Sequence, residues 1–407
     1  MNSTKNGRRP RRKLRIEPLE PRELMTATKL TAAETAGISW IRSHLKTATM
    51  STLAQNDFQD GVLSRTDMIA IFRQVEKAGS LTSQEFTDLK TLVGDAPLFV
   101  GVAYVQQLSQ DVVTGNVANA HYLGATLGNL AVGFSAANLE KLVDKWFLGT
   151  DHPVATSDWV GTNGKDETFT YRQVSGQLFV NGVAYTDIRQ GGIGDCYFLS
   201  SLAETALKNP TAITSMFIVN GDGTYTVRFM HGTQAAYVTV DSQLPTDASG
   251  YLVFDGMGQR ASSSTNELWV ALAEKAYVEL NECGWTRFGQ TGNGKNVYNA
   301  ISGGDMSIAL TQITGHAATD GYLGGITFAT FASYVSKGES ICLGSDNSPA
   351  NSQIVGDHAY AVLSIDTLHQ TVTLFNPWGL NNGHDSGVIT LTWVQLEQSF
   401  DFLSRTT

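Results

Sequence analysis

Cysteine is scarce in this 407-residue chain, limited to Cys196, Cys283 and Cys342. Three cannot all pair, and no Cys-x-x-Cys spacing occurs, so neither a disulfide framework nor a zinc knuckle is expected. The pattern suits a reducing compartment, and a cytoplasmic location is the expectation. Proline is rare as well, with nine residues against forty glycines. That balance points to a loop-rich enzyme or binding protein rather than a fibrous one. No run approaches the roughly 20 unbroken apolar residues of a membrane span. The basic N-terminus also lacks the apolar stretch of a secretory signal. Charged residues make up 16% of the chain and hydrophobic ones 42%, a composition of packed domains and not of a mainly disordered chain. An excess of positive charge is found only at one end. Residues 1–22 hold eight Lys/Arg and two Glu, a charge of +6, whereas the whole chain carries −10, which leaves −16 on the remainder. An acidic body does not attract nucleic acid. Neither nucleic acid nor a membrane is an expected partner, and residues 1–28 read as a disordered basic tail.

Residues 29–151 read as helical. Ile38, Ile41 and Leu45, then Met68, Ile71, Phe72 and Val75, recur at helix spacing. Two stretches there have the outline of calcium-binding helix–loop–helix units. Gly61, Leu63 and Asp67 stand in the glycine, apolar and closing positions of the first, and Gly79, Leu81 and Glu85 in those of the second. The ligand positions fail: Phe58 replaces a carboxylate in the first, and Gln74 and Glu76 open the second. These loops read as degenerate, without calcium. After His152 short alternating runs appear, among them QLFVNGVAY, TYTVRF, AYVTVD and YLVF, which predict strands. Near Gly315 helices give way to strands again, so two sub-domains are expected, 152–315 and 316–407, with the active residues divided between them.

The most informative segment is DIRQGGIGDCYFLSSLAETALKNP, Asp187 to Pro210. Leu199, Leu202, Ala203, Ala206 and Leu207 form the buried stripe of an amphipathic helix that stops at Pro210. Its start falls at Gly194-Asp195-Cys196, after a glycine-rich turn. Cys196 then sits in the first helical turn, where free N–H groups and the helix dipole favour a thiolate and a lowered thiol pKa. The same N–H groups suit an oxyanion, and the amide of Gln190, across the turn, is a candidate second donor.

A thiol nucleophile requires a base, and the base requires a group that holds its tautomer. Of the eight histidines, His358 immediately precedes a predicted strand in GDHAYAVLSID. A second predicted strand, TVTLFN, ends at Asn376. An antiparallel hairpin centred near Thr367 pairs residue i with about 734 − i, which sets His358 beside Asn376. Trp378 follows closely enough to shield a bond between them.

These residues resemble the calpain family of papain-like cysteine peptidases over about 155–407. QGGIGDCYF is similar to the family's Gln-Gly-x-x-Gly-Asp-Cys-Trp motif, with Tyr197 in place of the usual Trp. GDHAYAV is similar to its His motif and FNPWG to its Asn motif, while VDSQLP, ELWVALAEKAYVELN and NAISGGD look like framework segments. The resemblance implies an α+β, papain-like two-lobe core behind a helical N-terminal region. It implies a cysteine endopeptidase acting on protein or peptide substrates through Cys196, His358 and Asn376, with Gln190 and Trp378 assisting. It also implies one calcium site in the first lobe, built from the carboxylates of Asp187 and Glu267 and the carbonyls of Val180 and Gly182, with no cofactor required for the chemistry. The loop LNNGHDSG lacks the family's acidic run, so no second site is expected. Two alternatives keep the fold: a binding or regulatory module without turnover, and an acyltransferase using the same triad. Residues 29–151 are read as a pro-segment over the cleft or a partner-docking region. PLEPREL resembles a short LEPR motif, which hints at sorting.

Overall fold

The computed structural model describes residues 30–161 and 164–407. The basic tail lies outside the described residues. The helical reading of the next stretch holds through α1 (Ala32–His44), α2 (Ala48–Asp57), α3 (Arg65–Glu76), α4 (Ser83–Gly94), α5 (Ala103–Val113) and α6 (Ala136–Val143). A short hairpin, β1 (His121–Tyr122) with β2 (Ala125–Thr126), precedes α6. Capping boxes start α1, α3 and α4, where Thr31, Ser64 and Thr82 pair with Glu34, Asp67 and Glu85. Each box satisfies N–H groups that the first turn leaves without partners. The closing carboxylates of the two loops, Asp67 and Glu85, thus cap their own helices. Their apolar positions pair outside the loops, Leu63 with the Leu98 carbonyl and Leu81 with that of Phe134.

This helical region has its own core, including Phe72, Leu108 and Phe147. It docks through buried charge. Lys145 of the closing π-turn bonds Asp151 and, at 2.6 Å, Glu282. Arg65 reaches Asp222 at 2.7 Å. Breaking the buried Lys145 pairs by removing one partner costs about 3–5 kcal/mol, whereas the Asp222 carboxylate is 41% exposed and its pair with Arg65 contributes less.

The chain continues through β3 (Thr156–Val160), β4 (Asp166–Thr168) and β5 (Thr170–Gln173) to α7 (Cys196–Lys208) and the short α8 (Pro210–Thr214). Then come β6 (Phe217–Val219), β7 (Thr224–His231), β8 (Gln234–Asp241) and β9 (Gln243–Thr246), of which β6, β7 and β8 form an antiparallel sheet. TYTVRF and AYVTVD thus fall in strands β7 and β8. The segment QLFVNGVAY does not: it is irregular apart from one bridge at Gln177 and a 3-10 turn beginning at Tyr185. YLVF likewise makes only isolated bridges. Leu252, Val253 and Phe254 are themselves core residues, and the apolar residues of QLFVNGVAY are half-buried against that core, so both runs are apolar without joining a ladder. Helix α9 (Trp269–Asn281) is buried on every side, which is why it reads as apolar all round. It carries Glu274 into the centre of the largest core.

After α10 (Met306–Thr314), the elements β10 (Ala318–Tyr322), α11 (Phe328–Ser336), β11 (Ile341–Ser345), β12 (Ala359–Asp366), β13 (Thr371–Phe375), β14 (Val388–Thr392), α12 (Trp393–Glu397) and β15 (Phe400–Thr406) follow. The strands form one antiparallel sheet in the order β10-β15-β11-β12-β13-β14. Helix α7 packs on β11 and β12, so the start of α7 meets the start of β12.

Candidate active site

The turn before α7 is held from several sides. Gly191 is pressed against neighbouring backbone: a Cβ there would lie 2.3 Å from the Val253 carbonyl oxygen. Only glycine fits such an approach. The Gln190 N–H bonds the Pro377 carbonyl at 2.9 Å, which ties this turn to the Asn376-Pro377-Trp378 segment. Cys196 opens α7 and is half-buried. Tyr197, where the family motif has Trp, is buried with its ring over Gly304.

His358 lies just before β12, with its backbone N–H on the Ser345 hydroxyl at 2.9 Å. The preceding Asp357 takes a left-handed φ of 50°, a strained setting for a non-glycine residue, and Asn347 holds its carboxylate at 2.6 Å. The hairpin register differs from the expected one. Ala361 faces Phe375 and Val362 faces Leu374, with a bulge between Val362 and Ser364. The turn is longer than expected and Gln370 adopts a left-handed φ of 50°. Pairing is shifted by three residues beside the turn and by two beyond the bulge, where His358 lies, and a shift of two leaves each side chain there on its original face. The His358 and Asn376 side chains therefore still meet, diagonally, at 2.9 Å between Nε2 and Oδ1.

Asp385 completes this arrangement and sequence reading passed over it. Its carboxylate accepts the Asn376 Nδ2–H at 2.8 Å. A carboxylate only accepts, so the amide must turn its nitrogen to Asp385 and its oxygen to His358. That oxygen also accepts the Trp378 N–H at 3.0 Å. His358 Nε2 then carries the proton and Nδ1 is free as a base. Nothing local marks Asp385; it lies in LNNGHDSG, a loop read only for missing metal ligands. The Trp378 ring stands 5.3 Å from the imidazole, centroid to centroid.

Cys196, His358, Gln190 and Trp378 line one cavity of about 1120 Å³. The backbone N–H of Ala359, next to His358, lies against the Cys196 sulfur. Among the described residues no hydrogen bond joins Cys196 to His358 directly. No residue of 30–151 is among those that line this cavity. Gln190 is buried with both N–H groups engaged: Nε2 donates to the Ile193 carbonyl at 2.8 Å and to Asp195 Oδ1 at 3.3 Å.

The expectation of a lowered thiol pKa requires correction. Burial pushes the Cys196 thiol up to about 11, and the Asp195 charge adds to this. The N–H groups of Ala359, Tyr197 and Cys196 act in the opposite direction and are outweighed. Burial pushes His358 down to about 4, against the pull of its Asn376 bond and the Asp385 charge. Desolvation disfavours both charged forms, so the resting pair is neutral thiol and neutral imidazole.

Among the described residues no group of three or more His, Cys, Asp or Glu could hold a metal ion. Of the four residues read as a calcium site, Val180, Asp187 and Glu267 lie near one another. Glu267 accepts the Val180 N–H at 2.7 Å. Asp187 accepts from the Ala184 N–H at 2.7 Å and the Trp269 indole at 3.0 Å. Burial, and then the Asp187 charge, raise the Glu267 carboxyl to about 6.

A model of the calpain family cysteine proteases matches residues 166–388. The chain is 30% identical over 220 residues to the calpain-type cysteine protease DEK1 of Zea mays, covering 49% of this chain and 9% of that protein. It is 29% identical over 224 residues to Calpain-8 of Mus musculus and to the Calpain-2 catalytic subunit of Homo sapiens, covering 50% of this chain and 29% of each relative. The match therefore spans less than a third of these relatives' length. No helix of the described residues is long and apolar enough to cross a membrane. With more than half of its length matched by the family model, this chain belongs to the calpain family of cysteine proteases.

Proposed function

We propose that this protein is a cysteine endopeptidase with a Cys196-His358-Asn376 triad set between papain-like lobes of residues 152–315 and 316–407. The observation that carries the reading is the 2.9 Å contact between His358 Nε2 and Asn376 Oδ1, with Cys196 on the same cavity. His358 Nδ1 takes the thiol proton as the Cys196 sulfur attacks a peptide carbonyl. Asn376 keeps Nε2 protonated and the ring aimed, and Trp378 limits water at that bond. The oxyanion forms beside the Cys196 N–H, and Gln190 shares with it the N–H that makes the longer bond to Asp195. His358 then protonates the leaving amine, and water resolves the acyl-enzyme.

The test is hydrolysis of unfolded casein by the full chain as a function of pH, before and after iodoacetamide. Above about pH 4 the imidazole is neutral and base-competent. Activity is therefore retained through mildly acidic pH and lost as pH falls through that value. Cys196 should alkylate first, because it lines the cavity while burial pushes Cys283 up to about 12 and Cys342 higher still. Hydrolysis that survives stoichiometric alkylation of Cys196 would contradict the reading.

The carboxylates of Asp187 and Glu267, with the carbonyls of Val180 and Gly182, would hold one calcium ion. It would supply positive charge that offsets two close carboxylates, beside the segment leading to Gln190. The expected result is a calcium-dependent rise in the Tm of the full chain that Glu267→Ala removes. An unchanged Tm with calcium, and equal activity in excess EGTA, would eliminate the site.

A further inference from the structure

Beneath the nucleophile three carboxyl groups share a dry core. Asp195 is fully buried, Glu274 is 1% exposed and Asp255 is 4% exposed. Glu274 Oε2 accepts the Asp255 backbone N–H at 3.1 Å, and Asp255 Oδ1 accepts that of Arg189 at 2.9 Å. The Asp195 and Glu274 side chains are in hydrogen-bonding contact with each other. Asp195 Oδ2 and Glu274 Oε1 are both buried and have no other partner. Two carboxylates cannot share such a contact without a proton between them. The charges acting on Glu274 are those of Asp195 and Asp255, both of its own sign, and burial adds to their effect. Burial and these charges push the Glu274 carboxyl up strongly, while the Asp195 carboxylate already accepts the Gln190 N–H, so the shared proton is assigned to Glu274. It donates to Asp195, which remains the acceptor.

The other Asp195 oxygen, Oδ1, takes the Gln190 amide N–H. Reversing that amide would set its oxygen against both the Ile193 carbonyl and the Asp195 carboxylate, which repel it. This repeats the logic of Asn376 and Asp385, where a carboxylate chooses which end of a carboxamide faces the chemistry. The Gln190 Oε1 atom is itself buried and without a partner, so nothing on the oxygen side holds the amide. Its orientation depends on the acceptors on the nitrogen side.

We infer that Glu274, acting through Asp195, is a positioning residue for the oxyanion site, holding the nitrogen end of the Gln190 amide towards the start of α7. The inference rests on the peptidase reading above and assigns Gln190's orientation to a buried proton two residues removed from the cavity.

The experiment compares the full chain with Gln190→Ala, Glu274→Leu, Glu274→Gln and Asp195→Asn. Two readouts are taken, steady-state hydrolysis of a peptide and the rate of Cys196 alkylation by iodoacetamide. Alkylation needs the thiolate but no oxyanion site, so it separates orientation of Gln190 from damage to the nucleophile. Removal of the Gln190 donor should lower kcat by about 10²–10³-fold. Glu274→Leu should lower kcat by at least about 10-fold with KM and alkylation within about 2-fold of wild type. Glu274→Gln can still donate an N–H to Asp195 and should recover most of that loss. Asp195→Asn is isosteric and covers the case in which the leucine variant does not fold. It presents a side-chain amide that tolerates either orientation of Gln190, so kcat should fall while alkylation stays level or quickens, an opposing charge beside the sulfur having gone. Full kcat in Glu274→Leu and Asp195→Asn alongside a loss in Gln190→Ala overturns the inference and leaves the peptidase reading standing. A parallel fall in kcat and alkylation also overturns it, since that marks collapse of the site. Full activity in Gln190→Ala also overturns the inference while leaving the peptidase reading standing, whereas absence of any hydrolysis by the wild-type chain overturns that reading.

Discussion

Cys196→Ser should lower kcat/KM for a peptide substrate by more than about 10⁴-fold while leaving the fold intact. Serine is close to cysteine in size and Cys196 is only half-buried at the first turn of α7, a position that accepts a hydroxyl without cavity or clash. The loss lies in the chemistry. A neutral imidazole pushed down to about 4 is a weak base. It can assist a thiol, whose ordinary pKa is near 9, but a serine hydroxyl is far less acidic. The variant should keep the wild-type Tm and circular dichroism. Cleavage within about tenfold of wild type would show that another group attacks the peptide, and the mechanism would fall.

Asn376→Ala has the second-largest expected effect, a fall in kcat of about 10²–10⁴-fold with little change in KM. Three bonds meet at this side chain, from His358, from Trp378 and to Asp385. Without it the imidazole has no acceptor for Nε2–H, so the tautomer with Nδ1 protonated gains population and the ring is free to turn. The proton then sits on the nitrogen that should receive one. Substrate contacts along the cavity do not pass through Asn376, which is why KM should hold. A variant within threefold of wild-type kcat, with fold verified by Tm, would mean that the 2.9 Å bond has no part in turnover.

How much of the site was legible depended on how far each signal travels along the chain. Cys196 was readable because a glycine-rich turn, an apolar stripe at helical spacing and Pro210 together define a helix start within a few dozen residues. His358 and Asn376 were readable as a hairpin, and they survived an incorrect register because only the parity of the pairing matters for which face a side chain takes. The strand predictions for QLFVNGVAY and YLVF failed because alternation reports burial of one face and cannot report whether a partner strand lies alongside. Calcium-loop geometry was equally ambiguous, since a closing carboxylate and a helix-capping carboxylate occupy the same position in the chain.

Local chemistry along the chain was enough to set Cys196 at a helix start and His358 beside Asn376, because each placement is written in spacing and turn signals over short distances. Three things were decided only when distant segments packed together. These were the direction of the thiol and imidazole shifts, the role of Asp385, and the buried contact between Asp195 and Glu274. The physical reason is common to all three. A group's solvation and its hydrogen-bond partners belong to the space around it, and here that space is filled by residues beyond the reach of local spacing, Asp385 nine positions from Asn376 and the others much further.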